Sequence, residues 1–259
     1  MMTRRSHFSP RARRACRQPH RAVRQLAVLL AAACAAGLSL TPGASALTPT
    51  STQPEQRLAV LLSNHFAHRA AGARSPVVEL VPDRRPITGE QTTLPVIGEP
   101  ADAHGSRWLH VMLPGRPDGS TGWIAETGTR ELRTPWLISV DLDAGLVRVF
   151  RAGHLLRSYR AVVGKPSTPT PTGRFFVEET LVMAPGEPGG PFALALSARS
   201  NALQEFEGGP GQIALHGREE LGGTLGSAVS HGCVRLATAS IDWLAERIGP
   251  GTPVTIYQS

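Results

Sequence analysis

From Val77 onward the chain is written in short apolar runs cut by turn residues, a pattern that admits strands and excludes long helices. The runs VVELVP, TTLPVIGE, RWLHVMLP and TGWIAE are separated by Asp83-Arg84-Arg85, Asp102-Ala103-His104-Gly105 and Pro117-Asp118-Gly119, which predicts a small β-barrel over residues 76–132. After Arg133-Thr134-Pro135 a second set begins, with strand-like runs at Trp136–Asp141, Leu146–Arg151, Ser158–Val163 and Arg174–Val182. Between the third and fourth of these lies GKPSTPTPTG, Gly164 to Gly173, whose three prolines and three threonines predict a stiff surface connection. Dense Gly, Pro and Glu from Pro185 to Pro191 and from Glu205 to Gly211 predict loops that border a cleft. Helical spacing is found at Gln56–Ala71, through Leu58, Leu61, Leu62 and Phe66, and at Ser240–Ile248, which Gly249-Pro250 stops. The reading is therefore mainly β: a linker and helix over 47–75, a small barrel over 76–132, and a second β domain over 135–259 with a short C-terminal helix.

The 259 residues carry a formal net charge of +7, which invites a nucleic-acid or membrane-surface reading until the charge is located. Residues 1–46 hold eight arginines and no acidic residue, leaving 19 basic against 20 acidic side chains for the remainder. The basic character belongs to a leader, and a nucleic-acid partner is not expected. An Arg-rich start, an uncharged stretch from Leu26 to Leu40 and the small-residue triplet Ala44-Ser45-Ala46 read as a signal peptide over 1–46. Fifteen residues are short of the roughly 20 needed to span a bilayer, so no stable membrane span is expected after cleavage. Retention as an anchor, lipidation at Cys34 and twin-arginine export through Arg4-Arg5 are the alternatives.

Export decides what the cysteines can do. Cys16 and Cys34 leave with the signal, so the mature chain keeps Cys233 alone and cannot form an internal disulfide. An exposed thiol in an oxidising compartment is a liability unless buried or used. Its surroundings favour use: QIALHGREELGGTLGSAVSHGCVRL, Gln212 to Leu236, combines a thiol with His216 and His231 as candidate bases, and with backbone N–H groups around Gly232 and Cys233 that can face a developing oxyanion. On one extended strand, His231 and Cys233 would lie side by side, whereas His216 arrives on another element and can stand opposite the thiol, its other ring nitrogen bonded to a backbone carbonyl such as that of Gly217. A thiol with the ordinary pKa near 8.5 is only about 3% thiolate at pH 7, so an imidazolium partner would raise the reactive fraction.

HG followed seventeen positions later by the cysteine of SHGCVRL, with VVGKPSTPTPTGRF upstream, resembles the L,D-transpeptidase (YkuD-type) catalytic domain over about Trp136 to Tyr257. The resemblance implies that Cys233 is the nucleophile, that His216 is general base and acid, and that Ser230, His231, Gly232, Gly217 and Arg235 belong to the pocket and oxyanion region. It implies a mixed β-sandwich with the cysteine on an edge loop, and no metal or organic cofactor. Less specifically, Trp108-Leu109-His110-Val111 and Gly122-Trp123-Ile124 resemble a bacterial SH3-like domain; core packing is the first reading of both tryptophans and wall binding the second.

The implied reaction is acyl transfer in the cell wall or extracytoplasmic space. Cys233 would attack a tetrapeptide stem of peptidoglycan, release the terminal D-Ala and pass the acyl group to an amine of a neighbouring stem, with Arg235 pairing a stem carboxylate. Three other readings compete: a carboxypeptidase with water as acceptor, a non-catalytic wall-binding protein, and a metal module on His216, His231 and Cys233.

Overall fold

The computed structural model describes residues 54–206 and 208–259. The signal peptide, Cys16, Cys34 and most of the tether fall outside them. The first part contains β1 (Gln56–Leu61), β2 (His65–His68), β3 (Val77–Val81), β4 (Thr93–Pro95), β5 (Ala101–Ala103), β6 (Ser106–Met112), β7 (Thr121–Ala125) and β8 (Thr129–Thr134). They form one sheet in the order β4-β1-β8 and another in the order β3-β2-β7-β6-β5, packed around Leu61, Leu94, Val111 and Ile124.

The helix expected over Gln56–Ala71 is absent, and β1 and β2 take its place. Leu58, Ala59, Val60 and Leu61 are all buried because β1 is an inner strand held between β4 and β8. Leu62 and Phe66, which a helix would bury with them, stay 51% and 58% exposed. An apolar run this short satisfies both periods, and only long-range pairing decides between them. The β region therefore begins at Gln56. Trp108 is buried, in keeping with core packing, while Trp123 is half-buried and stacks on His110 at 4.7 Å.

The second part contains β9 (Trp136–Asp141), β10 (Leu146–Arg151), β11 (His154–Arg160), β12 (Val163–Gly164), β13 (Gly173–Val182), β14 (Phe192–Arg199), β15 (Gln212–His216), β16 (Ala228–Ser230), β17 (Val234–Arg235), α1 (Thr238–Ala245) and β18 (Pro253–Tyr257). Eight strands form one mixed sheet, β11-β10-β9-β18-β13-β14-β15-β17, parallel at β9/β18 and at β15/β17. Residues from both halves of the sheet, such as Val147 and Val149 on β10 and Ile213 and Leu215 on β15, share one core with Ile241 and Leu244 of α1. The strand read over Ser158–Val163 is divided: β11 ends at Arg160, and Val163-Gly164 pairs instead with β16.

Strand β13 ties the two parts together through its period of two. Phe175 enters the core of the second part, and its neighbour Phe176, on the opposite face, enters the core of the first. Two residues on, Glu178 is held between Arg85 and Arg199, the latter at 3.0 Å, and Glu179 accepts hydrogen bonds from the backbone N–H and Oγ1 of Thr88 at 3.1 and 2.9 Å. Phe176 is 1% exposed, so Phe176→Ala is expected to cost about 3–5 kcal/mol in urea unfolding. A cost below about 1 kcal/mol would mean that the two cores are not joined at this residue.

Candidate active site

Strands β15 and β17 lie side by side in parallel, with His216 opposite Arg235 and Leu215 opposite Val234. This pairing brings together two segments that the Gly-rich loop separates, and places Cys233 one residue before β17. The His216 ring is half-buried, its Nδ1 2.8 Å from the Gly217 carbonyl, with the Gly189 carbonyl also acting on the ring. Nδ1–H is therefore the donor, and Nε2 keeps its lone pair. Gly217 has no room for a side chain, since a Cβ there would lie 1.8 Å from the Gly190 carbonyl oxygen. The 189–191 turn is thereby packed directly on the histidine.

Burial pushes the His216 pKa below the ordinary 6.5, and the Arg235 charge pushes the same way, while the Gly217 and Gly189 carbonyls oppose it. The imidazolium of the sequence argument is thus disfavoured. A neutral imidazole, ready to accept a proton at Nε2, is the resting form.

The cysteine turn is wired from beneath. The Ser230 hydroxyl donates to the Cys233 carbonyl at 2.6 Å and accepts from Gly232 N–H at 3.1 Å. The Ser230 carbonyl accepts from Lys165 N–H at 3.0 Å and from Thr168 Oγ1 at 3.2 Å. Thr170 Oγ1 donates to the Gly232 carbonyl at 2.7 Å and accepts from Gly164 N–H at 2.9 Å. GKPSTPTPTG is therefore no mere surface connection: Thr168 and Thr170 are 8% and 3% exposed and serve as a buttress for the turn that carries the thiol. Of the N–H groups expected to face an oxyanion, that of Gly232 donates to Ser230 Oγ here. What glycine supplies at position 232 is space and a φ of +125°, with a Cβ otherwise 3.0 Å from Ile213 Cδ1.

Cys233 is half-buried and is not in a disulfide; its Sγ donates weakly to the Gln212 carbonyl at 3.9 Å. It opens, with His216, His231 and Arg235, onto a cleft of about 390 Å³ whose walls include Met183, Pro188 and Phe206. The two loops read as cleft borders, 185–191 and 205–211, thus each supply lining residues. His231 is exposed and its ring lies 5.7 Å from that of Phe206. Arg235 donates Nη1 to the Gly222 carbonyl at 3.0 Å, and its Nε is buried with no hydrogen-bond partner among the described residues. Ser230 and Gly232 stand behind the cleft as supports. Sequence reasoning missed Met183 and Phe206, which sit in no motif, and the buttressing threonines, although the motif containing them was noticed. Among the described residues no group of three or more His, Cys, Asp or Glu is placed to hold a metal ion.

Cys233 and His216 thus open onto one cleft of a mainly β scaffold. Residues 135–256, nearly half of the chain, match the L,D-transpeptidase catalytic domain (YkuD). L,D-transpeptidase 1 of Mycobacterium tuberculosis is 26% identical over 269 residues, covering 91% of this chain and 98% of that one. The YkuD L,D-transpeptidase of Bacillus subtilis is 29% identical over 149 residues, 56% of this chain and 73% of that protein. A crystal structure of an Enterococcus faecium L,D-transpeptidase shares 21% identity at a TM-score of 0.37, over 47% of this chain and 49% of that one, so the chain spans about half its length. Among the described residues no helix is long and apolar enough to cross a membrane.

Proposed function

We propose that the protein is an exported cysteine acyltransferase that cross-links peptidoglycan stems. The reading rests on one observation above the others: the His216 ring is held by its Nδ1 contact with the Gly217 carbonyl, on the cleft that holds the Cys233 sulfur. Nε2 takes the thiol proton as sulfur attacks the carbonyl of the third residue of a tetrapeptide stem, and returns it to the departing amine of D-Ala. The thioester then accepts the amine of a second stem, whose proton passes through the same nitrogen back to the leaving sulfur. Arg235, whose cationic side chain lines the cleft, suits a stem carboxylate. The chemistry is carried by the chain's own groups, without metal or cofactor.

The first part of the fold is proposed as an SH3-like module, and residues 1–46 as the export signal. The decisive experiment incubates purified protein with disaccharide-tetrapeptide and follows products by mass spectrometry. Cross-linked dimer is the expected product. Tripeptide alone would make water the acceptor and the enzyme a carboxypeptidase, and unchanged substrate would leave a wall-binding protein.

A further inference from the structure

One wall of the cleft is built from a loop that leaves β14 and returns to β15. Ser200, Leu203, Phe206 and Gly211 of this loop all face the cleft. Its base is closed by Ser200 N–H on the Gly211 carbonyl at 2.8 Å, and its tip by paired bonds between Phe206 and Gly209, each 3.0 Å. Ser200 Oγ accepts from Leu203 N–H at 3.0 Å on the outgoing leg. These local bonds set the shape of the loop, but they do not set where it stands over the thiol.

That anchorage comes from the first part of the fold. Arg116, in the turn between β6 and β7, donates Nη1 to the Pro210 carbonyl at 2.8 Å, and Nη2 to the carbonyls of Ser200 at 2.7 Å and Leu203 at 3.2 Å. A single guanidinium thus bonds both legs of the loop. Asp118, two residues on, accepts Arg199 N–H at 2.8 Å where the loop leaves β14. The legs approach so closely that a Cβ on Gly211 would lie 2.1 Å from the Leu203 carbonyl oxygen and 3.5 Å from Arg116 Nη2. At the tip, the Phe206 ring rests against His231 in the cysteine turn.

We propose that Arg116 is a positioning residue for the cleft: it holds the rim loop so that Leu203 and Phe206 present a fixed wall to the donor stem. The N-terminal β region acts on the reaction through this contact, by shaping the site without reaching it. Arginine suits the task because its planar fork reaches acceptors in two directions at once, which a lysine ammonium on the same stem does not match.

The proposal rests on the transpeptidase reading for the identity of the occupant, but not for the mechanics. In Arg116→Ala, kcat/KM for the disaccharide-tetrapeptide is expected to fall about tenfold, mostly through KM, with kcat within about twofold of wild type. Iodoacetamide, too small to need the wall, should alkylate Cys233 at the wild-type rate. Amide hydrogen exchange should quicken at Leu203, Phe206 and Gly209 and stay unchanged at Ile213 and Leu215. Arg116→Lys should recover only part of the loss. Unchanged exchange in the loop overturns the proposal, as does a fall in kcat at constant KM or slowed alkylation, either of which points to general damage. If wild-type protein turns over no stem peptide, the transpeptidase reading fails, and the exchange rates alone decide whether Arg116 holds the loop.

Discussion

Cys233→Ala is expected to reduce turnover of a tetrapeptide donor below about 1% of wild type, because among the described residues no other thiol lines the cleft to carry the covalent step. The remaining contacts still bind the donor, so binding of the stem should persist while product formation stops. Stability should change by less than about 1 kcal/mol, since the side chain is half-buried at the edge of the cleft and the turn is held by bonds to its backbone. Those bonds run from the Ser230 hydroxyl to the Cys233 carbonyl and from Thr170 to Gly232, and alanine keeps every one of them. Product formation above that level, measured by mass spectrometry on protein with a wild-type melting curve, would exclude the thioester. A collapsed melting curve would instead show that the thiol has a packing role.

What the sequence disclosed, and what it withheld, follows the range of the interactions concerned. Strands β9 and β10 fall where their alternation and flanking turns place them, at Trp136–Asp141 and Leu146–Arg151, because one local pattern suffices. The His216-to-Gly217 contact is equally local, one residue to the next, and was open to argument from the motif. Gln56–Leu61 was not, since its buried run is decided by β4 and β8, and β8 lies more than sixty residues on. Thr168 and Thr170 reach carbonyls 62 positions away, and Arg116 reaches carbonyls 84 to 94 positions away. Nothing in the composition of either segment encodes such a register. The protonation state of His216 escaped for a related reason: burial fixes it, and burial is a property of the packed cleft, not of HG or SHGCVRL.

His216→Ala is expected to lower kcat/KM by about 10²–10⁴-fold, the ordinary range for losing a positioned general base. It should also slow iodoacetamide alkylation of Cys233 near neutral pH, whereas His231→Ala, on the exposed side of the cleft, should act mainly on KM. The pH dependence follows from the direction of the shift. Burial disfavours the imidazolium, so the folded protein holds the neutral base down to a lower pH than a free histidine would. In wild type, kcat/KM should rise with pH through a midpoint below 6.5 and level off above it. Stability has the same sign: below 6.5 the unfolded chain takes up its proton before the folded one, so acidification through the folded pKa weakens the fold, and His216→Ala removes that contribution. An acid limb centred above 6.5 would mean that an imidazolium partner raises the thiolate population in place of a neutral base. Equal alkylation rates in His216→Ala and wild type, together with slowing in His231→Ala, would exchange the roles of the two histidines.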